Sequence, residues 1–377
     1  MSDAVVFTQS DDHSVLGTAV AVETAASAPL DLSSTRPRNA ARAEARDRNE
    51  WIDVVRLIAA AGIVFIHATR VPVLEQIDHF FRFAVPFYLF ASLYFQASSA
   101  RRQYDRGVLR PLPKYVTGRV RRLYLPFLAW GVIYLTAREL LHVVQHQPLF
   151  APRLDMLWTG TEYHLWFLPF LLMTSCAAAV LMRALPLDNP RAVWPAIGVA
   201  LAVGVLVAVA PMPSSWNEVF DNPTYAYVQW WRALPAGCFA VAFALFAALY
   251  PPIVERVSPT VAMTGIALAF ACSLSQVFNG IQLIPRALSG LGCMLATLAP
   301  WDTSGRTVST LASFGRNSYG IYLCHILVIE VIRVGVTRVH GSPSAAIDLL
   351  TFAIGLVGAL ALTSALARSP KLAWLNG

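Results

Sequence analysis

The feature that most constrains this chain is a series of apolar stretches, each about as long as a helix must be to cross a bilayer. A hydrocarbon core about 30 Å thick requires roughly 20 mostly apolar helical residues, and about ten segments meet that criterion. They run from Trp51 to Thr69, Phe80 to Ala97, Leu123 to Leu141, Tyr163 to Leu181, Val193 to Pro211, Gln229 to Tyr250, Pro259 to Phe278, Ile281 to Ala299, Ser318 to Val336 and Ala346 to Ala367. The pattern predicts an all-α, polytopic integral membrane bundle of about ten transmembrane helices.

The composition fits a lipid environment better than an aqueous one. Of the 377 residues, 56% are hydrophobic and only 14% are charged, and the mean hydropathy is +0.54. Such a chain has too little polar surface to cover a water-soluble globule. The net charge of +7 is divided among short basic blocks between apolar stretches, whereas nucleic-acid binding needs a continuous basic face. We therefore predict the lipid bilayer as the surrounding medium and no nucleic-acid partner.

Two basic blocks predict the orientation of the chain. Arginines are frequent from Arg36 to Arg48, ahead of the first span, and Lys and Arg are frequent from Arg101 to Arg122, ahead of the third. The segment from Met212 to Val228 contains Glu and Asp but no Lys or Arg. Because Lys and Arg are enriched in cytoplasmic loops, we expect both blocks to be cytoplasmic and residues 212–228 to be outside. An even number of spans then places both termini in the cytoplasm.

The first 49 residues differ in composition from the rest of the chain. They are rich in Ala, Ser, Thr and Arg, show no helical periodicity, and contain no apolar segment typical of a cleaved signal peptide. We predict a flexible cytoplasmic N-terminal tail over residues 1–49. A transmembrane domain over residues 50–368 and a short cytoplasmic tail over residues 369–377 complete the predicted organisation.

The first span contains three ionisable residues in an otherwise apolar helix, Asp53, Arg56 and His67. Ionisable residues within a membrane are energetically costly and usually functional. Arg56 and His67 are eleven positions apart, which places them on one helix face about 16 Å apart along the axis. Asp53 precedes Arg56 by three positions and can pair with it. Arg56 could instead extend to the interface, and His67 could be solvated at the helix end, so both interpretations remain open.

Three further segments accompany this pair: RVRRLYLPFLAW at residues 119–130, YHLWFLPFLL at 163–172 and FGRNSYGIYLCH at 314–325. Together with the spacing of Arg56 and His67, they resemble the acyltransferase 3 family of bacterial membrane acyltransferases, which modify surface carbohydrates. The resemblance extends from about Asn49 to the C-terminus. It implies a multi-pass protein of the bacterial inner membrane. It also implies transfer of an acetyl group from cytoplasmic acetyl-CoA to a sugar hydroxyl.

The resemblance also implies catalytic roles for two residues of the first span. His67 matches the family's catalytic motif as the base that takes the proton from the acceptor hydroxyl, and neutral imidazole suits that task near physiological pH. Arg56 could orient the thioester or stabilise the developing oxyanion, because guanidinium is a rigid fork of donors that stays charged. Direct transfer and an acyl-enzyme relay are both compatible with these residues.

Other positions are assigned to the substrates by the same resemblance. Coenzyme A phosphates are expected to bind the arginines that enter the third span, although the positive-inside rule alone also accounts for arginines there. These candidate residues are Arg119, Arg121 and Arg122. The candidate acceptor-binding residues are Asp53, His164, Trp166 and His325. An aromatic belt could equally explain Trp166, and a polar contact between helices could explain His325.

The acceptor implied by the resemblance is a sugar of an exopolysaccharide or of a lipid-linked repeat unit, as in xanthan-type polymers. Other polysaccharide-assembly proteins are then possible partners. No metal is expected, because His67 has no second ligand at helical spacing. Two other classes remain open: a transporter of a small anion, which would also place Arg and His in the membrane, and a scaffold subunit of a polysaccharide-assembly complex.

Overall fold

The computed structural model describes residues 49–149, 151–216, 224–280, 282–303, 305–340 and 344–377, with the backbone alone for residues 336–340. These residues form helices and connecting loops, and no strand occurs among them. The all-α prediction is confirmed for this part of the chain. Asn49–Gly377 forms one compact unit. The predicted N-terminal tail, apart from Asn49, lies outside the described residues.

Fifteen α-helices are defined in the described residues. They are α1 (Glu50–Ala68), α2 (Pro72–Asp78), α3 (Ala84–Asp105), α4 (Leu112–Arg119), α5 (Leu125–Val144), α6 (Met156–Thr159), α7 (Phe167–Ala184), α8 (Pro190–Val209), α9 (Tyr225–Leu249), α10 (Pro251–Glu255), α11 (Pro259–Asn279), α12 (Leu283–Thr297), α13 (Arg306–Gly315), α14 (Ser318–His340) and α15 (Ala345–Arg368). A π-helical turn, Val120–Tyr124, joins α4 to α5. Short 3₁₀ helices occupy His79–Phe81 and Ala373–Asn376.

Several helices begin where the local sequence favours a helix start. The side chains of Asn49, Asn189, Ser258 and Ser344 each accept a hydrogen bond from a backbone N–H in the first turn that follows. These residues satisfy amide groups that have no partner within the helix. Proline stands in the first turn of α8 and α11, where its missing N–H costs nothing.

Eight helical segments of the described chain are long and apolar enough to cross a membrane. They are Glu50–Ala68, Leu112–Val144, Phe167–Ala184, Pro190–Val209, Tyr225–Leu249, Pro259–Asn279, Ser318–Gly335 and Ala345–Arg368. The protein is therefore a multi-pass membrane protein. The total of about ten spans and the location of both termini remain predictions.

The other two predicted spans, Phe80–Ala97 and Ile281–Ala299, are not among these eight segments. Helix α3 begins apolar but becomes polar and basic from Gln96 onward. Helix α12 has 15 residues, a length of about 22 Å, which is shorter than the hydrocarbon core. The two helices pack against each other and against α9. Neighbouring helices therefore cover much of the surface of α3 and α12, so less of that surface must be apolar in order to face lipid.

Helix α1 lies at the centre of the site and is held at both ends. It packs against α3, α13, α14 and α15. At its start, Gly315 of α13 lies against the backbone carbonyl of Asp53, where no side chain would fit. At its end, the Arg333 guanidinium donates to the carbonyl oxygen of His67 at 2.6 Å. Just beyond the helix, the Asp348 carboxylate accepts from the amides of Arg70 and Val71 at 2.7 and 2.9 Å.

Candidate active site

The structure contains two cavities along α1. The His67 cavity has a volume of about 700 Å³, and the residues that define it include His67, Tyr163, His164, Trp166, Tyr225 and Gln229. The Arg56 cavity has a volume of about 300 Å³ and is defined by Arg56, Tyr88, Arg119, Arg122, Arg316 and Tyr319. Arg56 lies near the first turn of α1 and His67 near the last. The two residues of the predicted catalytic pair therefore line different cavities.

His67 stands in a cluster of aromatic and imidazole rings. It is half-buried and lines its cavity. Its ring centroid lies 5.2 Å from that of Tyr163, 5.3 Å from that of His325 and 6.5 Å from that of His164. The loop before α7 supplies Tyr163 and His164, and α14 supplies His325. Tertiary packing thus brings together three histidines that are far apart in the sequence.

His325 lies behind His67 rather than in the cavity wall. It is 0% exposed, and its Nδ1 atom lies 2.7 Å from the carbonyl oxygen of Tyr322 and 3.2 Å from that of Ile321. Because a carbonyl can only accept, Nδ1 carries the proton and Nε2 is the acceptor nitrogen. Nε2 has no hydrogen-bond partner among the described residues. His325 therefore packs against His67 without lining the His67 cavity.

His164 and Trp166 both line the His67 cavity, as a role in acceptor binding would require. The His164 ring packs 5.0 Å from His325 and 5.2 Å from Tyr134, measured between centroids. Burial holds the pKa of His164 well below 6.5, because the charged imidazolium is poorly solvated there. The carbonyl of Trp166 accepts a hydrogen bond from the indole N–H of Trp230 at 2.9 Å.

The Arg56 cavity is strongly basic. Four arginines of the described chain line it, and none of its lining side chains there is Asp or Glu. These arginines are Arg56, Arg119, Arg122 and Arg316. Arg56 pairs with the buried Asp53 at 3.0 Å, as the spacing in the sequence predicts. Asp53 serves this ion pair and does not line either cavity.

A further basic cavity of about 350 Å³ adjoins the Arg56 cavity, and we call it the side cavity. The two share Arg119 and Arg122, and Arg110 and Arg183 add to the wall of the side cavity. The Arg119 guanidinium donates to the Tyr115 hydroxyl at 2.8 Å. Arg121 is exposed and lines neither of these two cavities. Two of the three predicted phosphate-binding arginines therefore face a cavity.

Phe167 and Tyr322 line both the His67 cavity and the Arg56 cavity. Both rings are almost fully buried, and their centroids lie 5.9 Å apart with the rings nearly perpendicular. The Tyr322 hydroxyl donates to the carbonyl oxygen of His164, which fixes the Tyr322 ring. We call this pair the aromatic wall. The two cavities therefore lie back to back, separated by two side chains.

Arg333 and Asp348 are functional candidates that the sequence interpretation missed. Arg333 lines the His67 cavity, donates to the backbone at the end of α1, and pairs with Glu330 at 2.7 Å. Asp348 is buried and binds the backbone that follows α1. Each is an ionisable residue inside a predicted span, so the criterion that selected Arg56 would have found both. No group of His, Cys, Asp or Glu in the described residues is arranged to hold a metal ion.

Comparison with known proteins agrees with the motifs in the sequence. A family model described as an acyltransferase domain matches residues 49–368. No curated protein and no solved structure is significantly similar to the chain. The matched region includes α1 to α15 and all the residues that define the two cavities, apart from those of the C-terminal segment. The protein is a membrane acyltransferase that belongs to the acyltransferase 3 family.

Proposed function

We propose that this protein is an O-acetyltransferase that moves an acetyl group from acetyl-CoA at the Arg56 cavity to a sugar hydroxyl in the His67 cavity. The observation that carries the proposal is that two cavities of different chemistry meet at the aromatic wall. One contains the predicted catalytic histidine, and the other contains four arginines. Such an arrangement suits a reaction in which two polar substrates approach from opposite sides of a membrane.

The Arg56 cavity suits the donor because coenzyme A carries several phosphate groups. Arginine forks bind phosphate with two parallel hydrogen bonds. The side cavity extends the basic surface through Arg110 and Arg183, so an elongated anionic ligand can contact both cavities. The positive-inside rule predicts that this end of α1 lies on the cytoplasmic side, and a cytoplasmic donor such as acetyl-CoA would approach from there.

The His67 cavity suits a carbohydrate acceptor. Its volume lies within the range of about 300–1,000 Å³ that is typical of small-molecule sites. Tyr163, Trp166 and Tyr225 supply flat apolar rings, and Gln229 supplies both a hydrogen-bond donor and an acceptor. These groups match the apolar faces and hydroxyl groups of a sugar unit. An exopolysaccharide or a lipid-linked repeat unit is the acceptor that we propose.

In the proposed reaction, the acceptor hydroxyl gives its proton to His67 and its oxygen bonds to the thioester carbonyl carbon. The carbon–sulfur bond then breaks, and the coenzyme A thiolate leaves and takes up the proton that His67 received, which restores the neutral imidazole. His67 must be neutral to act as the base. His325 packs against His67 with the ring centroids 5.3 Å apart, and the hydrogen bonds from its Nδ1 atom to two backbone carbonyls fix the orientation of the His325 ring.

The distance between Arg56 and His67 favours one role for Arg56 over the other. Eleven residues of helix separate the two by about 16 Å along the axis, whereas an oxyanion donor must lie about 3 Å from the oxygen that it stabilises. Arg56 therefore holds the donor, and the acetyl group reaches His67 past Phe167 and Tyr322. Coenzyme A carries its thioester on a long flexible arm, so its phosphates and its acetyl group can occupy different cavities.

The proposal is tested by measuring the acetate content of the surface polysaccharide, by proton NMR, in a strain that lacks the gene. The strain is complemented with the wild-type protein, with His67→Asn, or with His146→Asn, a matched change at an exposed histidine. We expect acetate to be restored by the wild type and by His146→Asn but not by His67→Asn. Normal acetate in the deletion strain, or in the strain with a normal amount of His67→Asn protein, would contradict the proposal.

A further inference from the structure

The His67 cavity contains more positive charge than its location predicts. Of the described residues, five arginines and three carboxylates line it, which gives a net charge of +2 when all are ionised. The arginines are Arg70, Arg82, Arg232, Arg286 and Arg333, and the carboxylates are Glu75, Asp78 and Glu330. The positive-inside rule disfavours Lys and Arg on this side of the bundle. The accumulation of arginine therefore needs a local reason.

Two of these arginines, Arg82 and Arg333, form ion pairs with carboxylates of the described residues. Arg82 makes two hydrogen bonds to Asp78, each of 3.1 Å. Arg333 pairs with Glu330 at 2.7 Å and also donates to the end of α1. Asp78 and Glu330 each form their ion pair with a nearby arginine on the same stretch of chain, and neither forms one with Arg286.

Arg286, in the first turns of α12, differs from these two. It is half-buried in the wall of the cavity, and its guanidinium has no hydrogen bond or ion pair with any residue that the structure describes. Arg82 and Arg232, which lie close to it, oppose its positive charge, and each does so more strongly than Tyr225 or Asp78 favours that charge. A partly desolvated cation beside two like charges is unfavourable unless an anion is bound.

Three separate elements bring these arginines to one wall. Arg286 belongs to α12, Arg232 belongs to α9, and Arg82 precedes α3. Helix α12 packs against both α3 and α9. The cluster is thus built by tertiary packing and opens into the same cavity as His67.

We propose that Arg286, together with Arg82 and Arg232, forms an anion-binding site in the His67 cavity, and that the acceptor carries a phosphate or carboxylate group besides the hydroxyl that is acylated. The inference rests on the proposed function, because it names the class of acceptor. A guanidinium fork suits either anion. The phosphate of a lipid-linked sugar and the carboxylate of an acidic sugar unit are the two sources of such a group.

The first test measures binding without catalysis, through the Tm of the purified full-length protein in detergent. The probes are glucose 1-phosphate, glucuronate and glucose, and the variants are Arg286→Gln, Arg286→Lys and Arg153→Gln. Arg153 is a matched control because it pairs with Asp155 and does not line the His67 cavity. We expect at least one anionic probe, but not glucose, to raise the Tm of the wild type and of Arg153→Gln. Arg286→Gln should lose this response, and Arg286→Lys should retain part of it.

The pattern of responses separates the sources of the anion. A response to glucose 1-phosphate alone indicates a phosphate, and a response to glucuronate alone indicates a carboxylate. The inference is overturned if no anionic probe raises the Tm of the wild type, or if Arg286→Gln responds as fully as the wild type. Because the charges of Arg82 and Arg232 no longer oppose a cation in Arg286→Gln, that variant should be folded and at least as stable as the wild type without ligand.

The second test follows acetyl transfer to the methyl glycosides of glucuronic acid and glucose. The wild type should show a kcat/KM at least about tenfold higher for the acidic acceptor, since hydrogen bonds to charged groups contribute that much or more. Arg286→Gln should lower kcat/KM for the acidic acceptor much more than for the neutral one and so lose this preference, whereas Arg153→Gln, outside the His67 cavity, should keep it. An equal loss with both acceptors would contradict the inference. If anions bind but neither glycoside is acetylated, the anion site stands and the proposed function fails.

Discussion

The two cavities on α1 share a helix and an aromatic wall, but they differ in the charged residues that line them. In the Arg56 cavity, the described lining residues include arginines but no Asp or Glu side chain. In the His67 cavity, arginines and carboxylates are mixed, two ion pairs form, and a histidine cluster lies at one end. The first arrangement suits a highly charged ligand that is bound by its phosphates. The second suits a ligand that combines sugar hydroxyls with an anionic group, is oriented by several polar contacts, and then reacts.

This difference teaches that Arg56 and His67, which form one motif in the sequence, contribute to two cavities of different character. If the cavities divide binding from chemistry, changes on the Arg56 side should act on the affinity for the donor. Changes around His67 should act on the rate of transfer. Changes in the aromatic wall should affect which acyl groups reach the acceptor.

The largest effect is expected for His67→Asn. Loss of the general base should lower kcat by about 100-fold or more. The KM for acetyl-CoA should change little, because His67 does not line the Arg56 cavity. The measurement is release of coenzyme A by the purified protein with a saturating sugar acceptor. His146→Asn should match the wild type. A change in KM with kcat unchanged would reverse the assignment of the two cavities.

A smaller effect, on the KM for acetyl-CoA rather than on kcat, is expected for Arg122→Gln. Removing one phosphate contact should raise the KM for acetyl-CoA by about tenfold while kcat is retained. The neighbouring Arg121→Gln is the matched control, because Arg121 lines neither the Arg56 cavity nor the side cavity. Initial rates over a range of acetyl-CoA concentrations separate the two parameters. Equal KM values for acetyl-CoA in the two variants would show that lining a cavity does not determine the effect of these arginines.

Shortening the wall residue in Phe167→Leu should relax the selection of the acyl group. Extra space at the wall should raise the rate with propionyl-CoA relative to acetyl-CoA by up to about tenfold, the discrimination typical of one methylene group. Phe170→Leu is the control on the same helix, since Phe170 is buried but lines neither of the two main cavities. Competition between the two thioesters gives the ratio directly. An unchanged ratio would mean that the acetyl group does not pass this wall.

Asp348→Asn tests whether the end of α1 must be held in place. The buried carboxylate accepts two backbone N–H groups, and weakening a charge-assisted pair of this kind should lower the free energy of unfolding by about 1–3 kcal/mol. The Tm in detergent gives the change, and the exposed Asp188 offers the control Asp188→Asn. If the Tm is unchanged, these hydrogen bonds do not hold the segment that follows His67.

The smallest effect concerns the pH dependence of stability. Burial keeps the pKa of His164 well below 6.5 in the folded protein. As the pH falls below about 6.5, the unfolded chain therefore takes up a proton at this residue that the folded protein does not. Stability should drop by at most about 1.4 kcal/mol per pH unit for this group. His164→Phe should flatten the fall in Tm between pH 7 and pH 5, whereas His146→Asn should not.

The sequence by itself determined the class of the fold and the family. Hydrophobic length predicted membrane helices, and eight segments of the described chain meet that criterion. The helical period placed Asp53 beside Arg56, and the ion pair is present. The motifs indicated the family, and the family match over residues 49–368 confirms it. These features depend on local composition and on regular spacing, which a linear sequence records directly.

Only the tertiary structure decided which residues share a cavity. It separated Arg56 from His67, left Arg121 outside the Arg56 cavity and the side cavity, and brought His325, Arg333 and Asp348 to the end of α1. It also gathered Arg82, Arg232 and Arg286 from three elements into one wall. The physical reason is that contacts between distant segments depend on how helices pack, and the period of a single helix carries no information about its neighbours.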